Sequence, residues 1–187
     1  MLRMDKIVIV INGEAEVGKD TLCDFVISEF YAEKISSITP IVQIAKENGW
    51  DGTKDNKSRK FLSDLKRAFI DFNNLPTTYL CKEFERFLDG ENDILFVHIR
   101  ESDQISEFMD KIKNACACCS LLVSDRVYKK PACWGNESDD FVDSYGYDYR
   151  YQNRKPLEDA REDFLEFFQG ILDDKGVCAR GRVGKFE

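Results

Sequence analysis

The sequence predicts an α/β fold with a mainly parallel central sheet and helices on both faces, three layers deep. Three observations predict it. First, DILFVHI (93–99) and CSLLVSD (119–125) are continuous apolar runs, as in strands buried on both faces of a parallel sheet. Second, a β-branched run, KIVIVI (6–11), ends abruptly at Asn12-Gly13 and gives way to a helical pattern. Third, segments with apolar residues at helical spacing lie between and after these strands, so the two element types alternate along the chain.

Each element follows from its own stretch. After the glycine turn, DTLCDFVISEFYAEK carries Leu22, Phe25, Val26 and Phe30 at helical spacing. Thr39-Pro40 reads as an N-cap with proline at the first helical position, opening IVQIAKEN. GWDGTKDNKSR is polar and glycine-bearing, and so a loop. FLSDLKRAFIDF places Phe61, Leu62, Leu65, Phe69 and Phe72 on one face of a helix, and Pro76 starts another that stops at Gly90. Ser102 caps SDQISEFMDKIKN. Residues 126–146 have no regular pattern. YDYRYQ (147–152) predicts a last strand. PLEDAREDFLEFFQGIL predicts a helix with Leu157, Ala160, Phe164, Leu165, Phe168 and Leu172 inward. A single domain is expected over 1–173, with a helical segment at 48–90 and a lid-like loop at 126–146. A frayed tail is expected over 174–187.

The totals exclude several classes. With 27 basic residues against 35 acidic, a net charge of −8 makes the chain a poor binder of nucleic acid polymers. A hydrophobic share of 43%, including 14 Phe, suffices for a core without metal or disulfides. No apolar run approaches a membrane span. The N-terminus reads as a buried strand rather than a signal peptide. A cytoplasmic setting is therefore expected, with the seven cysteines reduced.

The stretch INGEAEVGKDT (11–21) sits between a predicted strand and a predicted helix. It fits G-x-x-x-x-G-K through Gly13, Gly18 and Lys19. Such a loop binds phosphate through backbone N–H groups and the positive end of the following helix. Lys19 supplies charge to the outer phosphates. Two features depart from the common pattern: Glu14 and Glu16 lie inside the loop, and Asp20 replaces the usual Ser or Thr. The backbone donors do not depend on the variable side chains, so both glutamates can point to solvent. Asp20 can take over the Mg²⁺ contact, since a carboxylate is a hard oxygen ligand. Thr21 can bond the next phosphate. In parallel sheets ligands sit beyond the carboxyl ends of the strands. That gathers Gly13–Thr21, His98–Arg100, Asp125–Arg126 and the 126–146 loop at one edge.

The GKDT motif resembles one branch of the P-loop kinases: phage deoxynucleoside monophosphate kinases and, more distantly, animal-type phosphomevalonate kinases. FVHIRES stands where that branch has a strand ending in Asp-x-Arg. SDDFVDSYGYDYRYQNRKPLEDA resembles its acidic, aromatic stretch near the C-terminus, and GWDGTKDNKSRKFLSDLK its acceptor-side segment. The resemblance covers most of the chain. It implies a P-loop NTPase-type fold, ATP and Mg²⁺ as cofactors, and a small phosphorylated acceptor, a (deoxy)nucleoside monophosphate first. The family's Asp is His98 here, which leaves Asp20 as the one metal-side carboxylate.

Further candidates each carry an alternative. Arg100 can serve the acceptor or the transferring group, or pair with Glu101 at the surface. Arg126 can close over ATP or be solvated. Lys54, Lys57 and Arg59 belong to a basic stretch, 46–67, with seven basic and four acidic residues. Arg59 is the choice for clamping an acceptor phosphate, and a solvated helix face is the alternative. His98 reads as packed rather than as a base. Cys116, Cys118 and Cys119, with Cys133, have spacing unlike paired zinc ligands, and strand alternation separates them. Tyr147, Tyr149 and Tyr151 alternate along an edge strand, and a ligand clamp is the alternative. The alternatives to a monophosphate kinase are another phosphorylated acceptor, such as phosphomevalonate, or a regulatory nucleotide-binding module.

Overall fold

The computed structural model describes residues 3–53, 55–124 and 142–182. Its elements are β1 (Arg3–Asn12), α1 (Lys19–Glu29), β2 (Ala32–Ser36), α2 (Thr39–Glu47), α3 (Asn56–Asn73), α4 (Leu75–Asp89), β3 (Ile94–His98), α5 (Ser102–Ile112) and β4 (Cys116–Ser124). A 3₁₀ turn (Val142–Ser144), β5 (Tyr149–Gln152) and α6 (Leu157–Lys175) follow. The strands form one sheet in the order β2-β3-β1-β4-β5, and every pairing is parallel. This is the expected P-loop-type α/β architecture. β1 is central, with β3 and β4 on either side, so the chain switches direction across the sheet at the carboxyl end of β1.

Alternation along β1 builds both cores. Ile7, Ile9 and Ile11 join Leu22, Cys23 and Val26 of α1 and Phe164, Phe168 and Leu172 of α6. Val8 and Val10 join Leu80, Phe84 and Phe87 of α4 and Ile105, Phe108 and Ile112 of α5 on the other face. Three layers result, with α1 and α6 on one side and α4 and α5 on the other.

The structure corrects several sequence expectations. YAEK is not the end of a helix. α1 stops at Glu29, Phe30 is extended, and Ala32–Ser36 forms the edge strand β2. Only Ala32 and Ile35 of that strand are buried, so it shows almost no apolar alternation to read. Thr39 and Ser102 are first helical residues rather than caps; Ile38 and Glu101 hold the cap positions without a side-chain bond. α3 starts three residues before Arg59, at Asn56, because the Asp55 carboxylate accepts from the Ser58 amide at 2.7 Å. β4 begins at Cys116, earlier than its apolar run. Leu157, at the start of α6, is exposed.

α3 meets its expectation only in part: Leu62, Leu65 and Phe69 are half-buried. Phe61 and Phe72, expected inward, are 44% and 81% exposed, and the one buried residue of the helix is Lys66. The helix packs chiefly on α2 and α4 rather than on the sheet.

Part of the expected frayed tail is tied down. The Asp93 carboxylate, buried before β3, accepts from the Arg180 amide at 2.7 Å and from its guanidinium at 2.7–3.2 Å. Gly181 bridges to Phe30. Residues 183–187 lie outside the described residues. Among the described residues no helix is long and apolar enough to cross a membrane.

Phe168 links the α6 layer to the sheet, with its ring centroid 5.7 Å from Phe96 and 6.0 Å from Phe30. Phe168→Ala is expected to cost about 3–5 kcal/mol, measured by urea unfolding.

Candidate phosphate-binding site

The site begins with a backbone constraint. The chain leaves β1 at Asn12 and crosses toward β4 at Gly13, whose φ is +151°. A Cβ at Gly13 would lie 2.3 Å from the Val123 carbonyl oxygen, so only glycine fits. The loop then returns through Glu16, at φ 65°, and Gly18, at φ 90°, into the first turn of α1. Four side chains fix its course. The Asn12 Oδ1 accepts from the Gly13 amide at 2.8 Å. Val17 is buried beneath the loop, and its carbonyl accepts from the Asn153 Nδ2 at 2.9 Å. Lys19 arches back over the loop, with Nζ donating to the carbonyls of Gly13 (2.5 Å) and Glu14 (2.6 Å). Its ammonium therefore lies at the mouth of the turn.

Glu16 answers the question the acidic loop raises. Its side chain is 76% exposed, and its carboxylate lies 3.7 Å from Nη2 of Arg59 in the first turn of α3. The acid turns away from the loop toward the segment expected to hold the acceptor. Arg59, the favoured residue of the 46–67 stretch, is thus brought beside the phosphate loop. Lys57 is exposed in the same helical turn. Lys54 lies outside the described residues.

Asp20 and Thr21 stand in the first turn of α1, beside Lys19. The Asp20 carboxylate is 80% exposed, 3.7 Å from the Lys34 Nζ and 3.8 Å from the His98 Nε2. His98 ends β3, in register with Ile11 of β1, and its Nε2 also lies 3.8 Å from the Cys23 Sγ. Burial pushes the His98 pKa down from 6.5 to about 4, with the Asp20 charge pulling only partly against it. The ring is neutral at neutral pH, which suits a packed histidine and gives a weak base.

Arg100 follows β3 at the same edge, half-buried. Its carbonyl accepts from the Asn12 Nδ2 at 3.0 Å, and the same Nδ2 donates to the Tyr147 hydroxyl at 2.7 Å. The Tyr147 hydroxyl in turn donates to the Val142 carbonyl at 2.9 Å. Asn12 therefore joins the loop, the end of β3 and the approach to β5. Tyr147 stands before the strand rather than in it. Tyr149 and Tyr151 lie in β5, where Tyr151 packs on Phe164 at 4.9 Å. Arg126 and residues 125–141 lie outside the described residues, Cys133 among them. Cys116 and Cys119 fall in the cores on opposite faces of the sheet. Among the described residues no group of three His, Cys, Asp or Glu side chains could hold a metal.

Sequence reasoning missed Asn12, Asn153 and Lys66. Asn12 carried a signal, as a polar residue ending an apolar strand. Asn153 carried none, because its role depends on β5 lying beside the loop.

No family model matches the chain, and no curated protein matches it. Among solved structures it is similar to a shikimate kinase from Bacteroides thetaiotaomicron. The identity is 15% over 89% of this chain and 98% of that one, with a TM-score of 0.43. A likeness at that score adds nothing to what the sheet order and the loop already show.

The single histidine gives a clean test of the site's electrostatics. Its NMR ring signals are expected to titrate near pH 4. The native state disfavours the charged ring, so His98 should cost stability as pH falls from about 6.5 toward 4. A midpoint near 6.5 would mean an exposed ring and a different edge.

Proposed function

We propose that the protein transfers the γ-phosphoryl group of ATP to a small phosphorylated acceptor, in the first instance a (deoxy)nucleoside monophosphate, with Mg²⁺. One observation carries the reading: Lys19 arches over a glycine-shaped loop at a helix start, and Arg59 of the 46–67 stretch reaches the same loop at Glu16. Phosphoryl transfer needs positive charge and positioning around the moving group and little covalent work from the protein. That demand fits these groups.

Lys19 and the loop amides after Gly13, up to Thr21, would hold the β- and γ-phosphates. Arg100, at the strand end, would face the acceptor or the transferring group. Arg59 would clamp the acceptor phosphate by paired hydrogen bonds, with Lys57 and Lys54 adding charge. Arg126 is assigned to closure over ATP on sequence grounds alone. Asp20 suits Mg²⁺, which prefers oxygen ligands, needs only one or two carboxylates and keeps several waters. When bound, that ion would neutralise charge on the outer phosphates.

A second reading has its own observation. The neutral His98 stands where the resembled kinases carry an Asp, which leaves Asp20 the one carboxylate of the expected pair. A nucleotide-binding regulatory module with little turnover would tolerate that loss.

The test is γ-labelled ATP with Mg²⁺ over a panel of ribo- and deoxynucleoside monophosphates and phosphomevalonate. Label is expected to move to a monophosphate, and Lys19→Ala should slow transfer by about 100-fold or more. Transfer to phosphomevalonate alone would replace the acceptor. ATP binding without transfer would support the regulatory reading. No ATP binding would reject both.

A further inference from the structure

The inward face of α3 is mixed, with the buried Lys66 and the half-buried Arg59, Leu62, Leu65 and Phe69. Arg59 and Lys66 are seven residues apart, two helical turns, and so lie on one face about 10 Å apart along the axis. Phe61 and Phe72 lie on the opposite face, in solvent. A helix that hides a lysine and exposes two phenylalanines is not placed by apolar burial alone.

Lys66 is 5% exposed. Its Nζ donates to the Ser37 Oγ at 2.8 Å, just past the end of β2, and to the Glu101 Oε2 at 2.5 Å, just past the end of β3. Burial lowers the Lys66 pKa against the pull of Glu101. Glu101 is the neighbour of Arg100. One ammonium thus ties the middle of α3 to two strand ends, with Arg59 at one side of the tie and Arg100 at the other.

We infer that Lys66, through Glu101 and Ser37, is a positioning residue that sets α3 so that Arg59 and Arg100 converge on one acceptor. The inference rests on the kinase reading above. An apolar pair of similar volume can hold two elements together as firmly as a buried ion pair. It cannot supply directional bonds to two separate strand ends. The ionic pair fixes where along its axis, and at what rotation, α3 sits, and with it the reach of Arg59.

The test separates placement from stability. Lys66→Met and Glu101→Met are made singly and together. Each single change removes one partner of the buried pair and is expected to lower thermal stability. The double variant should recover much of it, as ion pairs replaced by apolar residues do. Despite that recovery, its KM for the acceptor should stay raised by about tenfold or more, with KM for ATP unchanged. Lys66→Arg should keep an acceptor KM near that of the parent.

A second readout needs no turnover. Amide hydrogen exchange over residues 56–73 in the double variant should be about tenfold faster than in the parent, with α4 unchanged. Ser37→Ala, which removes one bond and no charge, should shift exchange the same way by a smaller factor and decides the matter if the double variant fails to fold. Parental α3 exchange in the double variant, or in Ser37→Ala if that variant fails, overturns the inference, as does a parental acceptor KM. If the parent itself transfers no label, the kinase reading fails, and the exchange data still decide the role of Lys66.

Discussion

The carbonyl of Val123 stands where a side chain on residue 13 would be. From that close approach the rest of the site follows. The chain can leave β1 and pass over β4 only without a Cβ, so it turns at Gly13 before entering α1. The turn sets where Lys19 starts, and the carbonyls of Gly13 and Glu14 set where its ammonium ends. Asn12 and Asn153 hold the loop from β1 and β5. The scaffold behind it is the five-stranded sheet, whose central strand is sealed on both faces.

Charge placement explains how so acidic a chain can hold an anion. Binding depends on local donors rather than on net charge. Glu16 leans toward Arg59 and lies largely in solvent, where its repulsion is screened. The neutral His98 adds no charge to the edge, and Asp20 remains as an exposed carboxylate. The cationic groups Lys19, Arg59, Lys66 and Arg100 come from three parts of the chain, α1, α3 and the end of β3, and meet at one side of the sheet.

Much of the fold was legible because its signals are local. KIVIVI, DILFVHI and CSLLVSD announce buried strands by continuity, and the glycine frame fixes the loop between β1 and α1. β2 was hidden because an edge strand with two buried side chains has no pattern to show. α3 was legible only in part, because amphipathy marks an apolar face but not how much of it the neighbouring helices cover. Here tertiary contacts buried Lys66 on that face, through Ser37 and Glu101, residues 29 and 35 positions away, and left Phe61 and Phe72 in solvent. The loop residues of the candidate site were legible from spacing. The Arg59–Glu16 approach and the Asn12 and Asn153 supports were not, since each joins elements distant in sequence.

The central claim, a proposal, is that this loop binds nucleotide with Glu16 turned away. Calorimetric titration of Mg²⁺-ATP into the parent protein and into Glu16→Gln tests it most directly. The parent is expected to bind, and the change at Glu16 should alter Kd by no more than about threefold to fivefold, the scale of an exposed ion pair. Failure of the parent to bind would contradict the account. So would affinity rising tenfold or more in Glu16→Gln, because Glu16 would then face the phosphates.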